Sequence, residues 1–228
     1  MGCNLKRFSI TADARAPLAF AALAACALAL LPGGASAATQ EDKTQFSVTA
    51  GTLSFSTVPA LPVLTSVTLT GAAQTTHSTM TEFAVDDATG SGSGWNATVQ
   101  GQSGSGKSAV FAQYCGKAKC GSDNEGYVPS GLTLPANSLT LNSTGASFTA
   151  QGGTTGTAPT LQCSSACNVD SASAVKIASA AVSAGMGTWG AGSFSGTSLA
   201  LSTPSTLKLL ANEEVYRVNL LWTLSTGP

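Results

Sequence analysis

From residue 216 to 224 the chain alternates apolar and polar positions with a period of two. Tyr216, Val218, Leu220, Trp222 and Leu224 share one parity. Arg217, Asn219 and Thr223 share the other, with Leu221 the one apolar exception. A strand sends successive side chains to opposite faces, so this spacing predicts a strand over 215–224 with one stripe against a core. Burial of each of the five would contribute roughly 1.5–3 kcal/mol, and Trp222→Ala would cost about 3–5 kcal/mol. Trp95, Ala97 and Val99 repeat the pattern earlier, with Asn96, Thr98 and Gln100 on the opposite side.

Shorter strand-like runs are predicted at 46–48, 53–55, 63–69, 83–85, 109–114, 132–134, 139–141, 148–150, 194–201 and 207–210. Gly, Ser, Asn or Pro separates nearly every pair. Many short strands between turn signals predict an all-β fold, a β-sandwich-like domain of short antiparallel strands. The stretch 171–184 is Ala-rich enough for a helix. Val175 and Ile177, β-branched on either side of Lys176, favour a strand over 174–182, although Ser179 interrupts the stripe. Residues 151–159 read as a long loop, and nothing divides 38–228 into two domains.

Composition adds a destination. Only 9% of residues are charged, fewer than a cytosolic enzyme usually carries. Lys6, Arg7 and Arg15 form a positive start, 16–31 is an uncharged apolar run, and Pro32 follows it. Ala35 and Ala37 supply small residues at −3 and −1 of a cleavage point between Ala37 and Ala38. The segment 1–37 therefore reads as a signal peptide, its apolar run too short for a bilayer span. The stretch 23–26 also fits a lipobox with Cys26 as the lipidated residue, but 27–31 stays apolar where a lipoprotein would turn polar. No LPxTG-type sorting signal is read, so retention at a surface would be noncovalent. The leader holds Lys6, Arg7, Arg15 and Asp13, so the 10 basic and 11 acidic residues of the chain fall to 7 and 10 without it. That balance offers no basic stretch for nucleic acid.

Four cysteines follow the leader: Cys115, Cys120, Cys163 and Cys167. In an exported chain they favour two disulfides, for which three connectivities exist. Local pairing, Cys115 with Cys120 and Cys163 with Cys167, is the favoured one. A tetrathiolate metal site is the alternative, disfavoured by the spacing and the oxidising compartment. No cofactor or metal is expected.

Catalytic signals are weak. Residues 101–108 fit the P-loop pattern G-x-x-x-x-G-K-S, but no amphipathic helix follows, so a plain Gly/Ser turn is expected and no nucleotide. His77, the only histidine, lies in a stretch that reads as an inter-strand loop. No nucleophile elbow accompanies it. Asp86–Asp87 and Glu213–Glu214 are adjacent, and in strands each pair would point to opposite faces, which does not suit glycoside cleavage. Asp86 to Gly90 lacks the rhythm of a calcium loop. Asn96 and Asn142 begin glycosylation sequons by pattern alone. Trp189, among small residues, is a candidate exposed aromatic for sugar stacking, although a core tryptophan entering a strand is the favoured reading.

The last residues, Tyr216 to Pro228, resemble the C-terminal signature of the WxL-domain family: Tyr216, Leu220, Trp222 and Leu224 in a Y-x-x-x-L-x-W-x-L strand, closed by Pro228. Gly90 to Val99, a Gly-rich turn into a strand containing Trp95, resembles the family's first tryptophan motif, with Ala97 where that motif has Leu. Residues 83–86 and 185–189 resemble flanking segments, while the stretch holding the cysteines has no counterpart. The resemblance implies a noncatalytic surface protein of a Gram-positive cell, held noncovalently on peptidoglycan or another cell-wall polymer alongside other surface proteins. The parity of Trp222 and Leu224 places them in the core, so the ligand would be met by outward residues or loops. The alternative function is a structural or adhesive subunit that binds other surface proteins.

Overall fold

The computed structural model describes residues 41–121, 123–211 and 214–228. The expected signal peptide at 1–37, its Ala37–Ala38 cleavage point and Cys26 lie outside the described residues. In chain order the first strands are β1 (Leu53–Thr57), β2 (Gln74–Ser78), β3 (Phe83–Asp87), β4 (Trp95–Gly101) and β5 (Ala112–Cys115). A single helical turn, α1 (Lys117–Cys120), precedes β6 (Gly126–Tyr127), β7 (Leu139–Leu141), β8 (Ser147–Gln151), β9 (Thr160–Leu161) and β10 (Cys167–Asn168). The chain ends with β11 (Val175–Ala180), β12 (Gly187–Gly192), β13 (Leu199–Thr203), β14 (Val215–Arg217) and β15 (Leu220–Thr226).

Every pairing is antiparallel. The sheets run β1-β3-β12-β8, β10-β7-β13-β2, β15-β4-β11-β9 and β14-β5-β6. The fold is thus all-β and sandwich-like, and Ser47–Pro228 forms one compact unit. One hydrophobic cluster joins the inward residues of three sheets: Phe83 and Val85 of β3, Trp95 and Val99 of β4, and Leu139 of β7 with Leu199 of β13. Trp95 and Phe83 both meet the ring of Phe148 edge-on, at 6.0 and 5.9 Å between centroids. Such aromatic contacts add to area burial.

Strand β4 has the face its sequence predicts: Trp95, Ala97 and Val99 are fully buried while Asn96, Thr98 and Gln100 are half-buried. The ambiguous stretch before residue 184 is strand β11, and a bulge accounts for its broken stripe. Lys176 pairs with Thr98 but Ala178 with Ala97, leaving Ile177 as the extra residue. Ile177 and Ala178 both reach the core, and the inward parity changes there.

Several expectations are corrected. Residues 46–48, 63–69, 132–134 and 207–210 form no named strand. The stretch holding His77, read as a loop, is β2, an edge strand on β13. Polar hydroxyl residues hid it, because an edge strand needs less apolar surface. The Gly-rich stretch 187–192 is also a strand, β12, central between β3 and β8. The predicted strand 215–224 breaks into two at Val218 and Asn219. β14 pairs with β5, and β15 pairs with β4. Asn219 makes the break: its N–H bonds Ser108 O at 2.8 Å, its C=O accepts from Gln102 N at 2.8 Å, and its side chain accepts from the Tyr127 hydroxyl.

Both disulfides are local, Cys115–Cys120 and Cys163–Cys167, with Cα separations of 6.0 and 5.3 Å. Asp170, fully buried near Cys167, accepts a hydrogen bond from Ser138 N at 2.9 Å. Burial raises its pKa above the usual 3.8, against the opposing pull of backbone N–H groups from 137–139. A folded-state pKa above the unfolded one means that the folded chain takes up this proton first. Its stabilising effect is complete below the unfolded pKa and is lost as pH rises through the folded one. Urea midpoints of the wild type relative to Asp170→Asn should therefore rise as pH is lowered from neutral towards the unfolded value of 3.8; an unchanged difference over that range would remove Asp170 as the source.

Gly185 has φ +69°, and a Cβ there would sit 2.4 Å from the Ala180 Cβ and 2.7 Å from Trp95 Nε1. Trp95 Nε1 donates to Gly185 O at 3.1 Å, so indole and glycine are locked together. Gly71 has φ +79° with open space around it. Gly71→Ala should cost about 1–2 kcal/mol from backbone strain alone. Gly185→Ala should cost at least about 2 kcal/mol more, because packed atoms must also move; equal losses in urea titration would contradict the locked contact.

Candidate functional site

The two segments that resemble tryptophan motifs lie side by side. In the β4–β15 ladder Thr226 faces Trp95, Leu224 faces Ala97 and Trp222 faces Val99. The closing residues complete it: Gly227 N bonds Gly94 O at 2.9 Å, and the Asn96 amide donates to Gly227 O. Pro228 follows at once, where the strand ends.

The two strands differ in depth. Trp95 is fully enclosed, whereas Tyr216, Val218, Leu220, Trp222 and Leu224 are only half-buried and pack on the margin of the core. The predicted parity holds on both sides of the break, since Arg217, Leu221, Thr223 and Ser225 are exposed. The predicted depth does not. Leu220 and Trp222, with Tyr216 and Val218, form one wall of an open groove of about 1030 Å³. Its other walls are residues 61–69 and 207–210, and Phe111, Leu134, Leu139 and Leu201 also line it. The inward residues of β4 do not, so the groove lies beside β15 at the sheet margin.

Physical chemistry explains why the groove stays open. Residues 61–69 alternate in a strand-like way, yet Pro62 within them has no N–H to donate to a ladder. Pro204 stands before the other wall. Both walls run without strand partners, leaving apolar side chains facing a gap. Polar groups sit among them: Lys208, Glu214, Arg217 and the Tyr216 hydroxyl, which donates to Lys208 O at 2.9 Å. Burial raises the Tyr216 pKa above its usual 10.0. The Arg217 guanidinium lies 4.4 Å from the centre of the Tyr114 ring, a cation–π contact.

The opposite side of the same sheet is polar. Thr223 pairs with Thr98, which pairs with Lys176. Ser225 pairs with Asn96, then Ser179, then Thr160. Hydroxyl and amide side chains thus cross four strands in register. Gln162 Nε2 donates to Thr160 Oγ1 and Ser179 Oγ, both at 2.9 Å.

The remaining sites stay apart. Trp189, the candidate exposed aromatic, takes the favoured core position instead: it is 5% exposed, and its Nε1 donates to Met186 O at 2.9 Å. It pairs with Val85 and Ala150 in the centre of its sheet, so neighbouring strands cover what its small sequence neighbours leave open. His77 is exposed on β2, opposite Ala200. Residues 102–107 form a tight turn with a Gly104–Lys107 bridge and lead into β5 rather than a helix. Asp86 and Asp87 occupy opposite faces of β3. Asp86 Oδ1 accepts from Thr188 Oγ1 at 3.0 Å, and Asp87 Oδ1 from Thr89 Oγ1 at 2.6 Å. Cys115, Cys120 and Glu214 lie close together, but the two sulfurs are bonded to each other, so no thiolate is presented. The groove itself was missed by sequence reasoning. Its one available signal was proline ahead of the two strand-like runs 63–69 and 207–210.

Comparison with protein-family models, with curated proteins and with solved structures found no match.

The difference in depth has a measurable outcome. Trp95→Ala should cost about 3–5 kcal/mol, whereas Trp222→Ala should cost about half as much, since part of its ring already faces the groove. Equal losses in chemical denaturation would show Trp222 to be as enclosed as Trp95.

Proposed function

We propose that this chain is an exported, noncatalytic cell-surface protein that attaches noncovalently to the cell wall through a WxL-like domain, with peptidoglycan or a related wall polymer as ligand. The observation that carries the reading is the pairing of the two motif-like segments, far apart in sequence, as neighbouring strands closed by Gly227. The polar face of that sheet suits a wall polymer. Its in-register Thr and Ser side chains can donate to and accept from sugar hydroxyls and acetamido groups.

A second reading has its own support. The open apolar groove is a surface for a protein partner, because an extended apolar segment fits it better than a sugar does. On that reading the chain is a structural or adhesive subunit of a surface assembly.

Sedimentation with purified peptidoglycan separates the two. The secreted protein should pellet with the wall, and Thr223→Asp with Ser225→Asp should lose at least about tenfold in affinity, or about 1.4 kcal/mol, without a change in melting temperature. Trp222→Ala should still pellet. If the wild type stays in solution, wall attachment is overturned; if Trp222→Ala alone abolishes pelleting, the wall polymer occupies the groove instead.

A further inference from the structure

We infer that Lys176 is the specificity residue of the polar sheet face: it pairs with a free carboxylate on the peptide stems of peptidoglycan, while the hydroxyls around it meet neutral sugar. This rests on the wall-attachment reading above and names the charged group that the face takes.

The face carries one charge. Strands β15, β4, β11 and β9 contain Lys176 and no other charged residue. Lys176 is exposed, and it makes no salt bridge among the described residues. The ladder sets its neighbours. Lys176 faces Thr98, and Thr98 faces Thr223, so an ammonium group stands at the end of a row of two hydroxyls. Directly opposed residues have Cβ atoms about 4.5–5.5 Å apart. An ammonium group donates up to three hydrogen bonds and a hydroxyl one. One carboxylate can therefore accept from Lys176 and Thr98 together. The row is held from behind, because Ala97 and Val99 on the other side of β4 are fully buried.

Charge density decides which anion fits. Without the expected leader the chain has 7 basic and 10 acidic residues. A polymer with an anion on every repeat, such as a phosphodiester chain, is repelled by that balance and meets a single cation on this face. A glycopeptide with neutral sugars between scattered carboxylates matches one ammonium group among hydroxyls.

The test is pelleting of the secreted protein on peptidoglycan stripped of phosphate polymers, both native and with its carboxylates amidated. Lys176→Gln should bind native peptidoglycan about fivefold less tightly than the wild type, the upper range for an exposed ion pair. Lys176→Arg should restore most of that affinity. Lys117→Gln, which removes another exposed charge, on α1, should change nothing. Amidation should bring the wild type down to the level of Lys176→Gln and leave that variant where it was. Rising salt should weaken the wild type but not the variant. Equal melting temperatures check that every variant is folded. If Lys176→Gln binds like the wild type, if Lys117→Gln loses as much, or if amidation leaves the wild type unchanged, the inference is overturned while wall attachment stands. Binding only to walls that keep their phosphate polymer overturns it in favour of phosphate. A wild type that pellets with no wall preparation overturns wall attachment itself, and the role of Lys176 falls with it.

Discussion

The β4–β15 ladder is the contact on which the rest depends. It ties the final strand to the most enclosed strand of the core, and its register fixes what each face presents. A shift by one residue would exchange Leu220, Trp222 and Leu224 for Leu221, Thr223 and Ser225. The polar rows across the sheet would vanish, and the groove would lose one of its apolar walls. Asn219 protects that register from one end by gripping Ser108, Gln102 and Tyr127. Gly94 and Asn96 hold it at the other end through Gly227.

Sequence patterning revealed this domain unevenly, and the reason is packing. Strands with a clean apolar face, such as β4 and β7, were legible because one enclosed side imposes period two. β2 was not, since an edge strand of Gln, Thr, His and Ser can be held by backbone bonds alone. β12 was hidden by glycines that look like a turn, although neighbouring strands on both sides supply its structure. The reverse error concerned residues 63–69. They alternate as a strand should, but alternation states only that a segment can pair, not that a partner exists.

The same distinction applies to the site. The motif-like residues Trp95, Tyr216, Leu220, Trp222, Leu224 and Pro228 were legible as a set, and the structure places Trp95, Leu220, Trp222 and Leu224 on one sheet, with Tyr216 on β14 of another and Pro228 just past β15. Whether an inward residue ends in a sealed core or beside an opening depends on segments remote in sequence. Here those are 61–69 and 207–210. Parity therefore gave the side of Trp222 but not its depth, while Trp189 is buried as the favoured core reading has it.

The disulfides bear on how such a chain would mature on the proposed route of export. The sheets join segments more than a hundred residues apart, as in the pairing of β4 with β15, and long-range pairing of this kind forms slowly. Each cysteine, by contrast, bonds the nearest one along the chain, across separations of 5 and 4 residues. On that route, oxidation can proceed correctly on a chain that is still translocating, before any sheet exists. Neighbouring thiols meet far more often than distant ones, so maturation would need little disulfide shuffling.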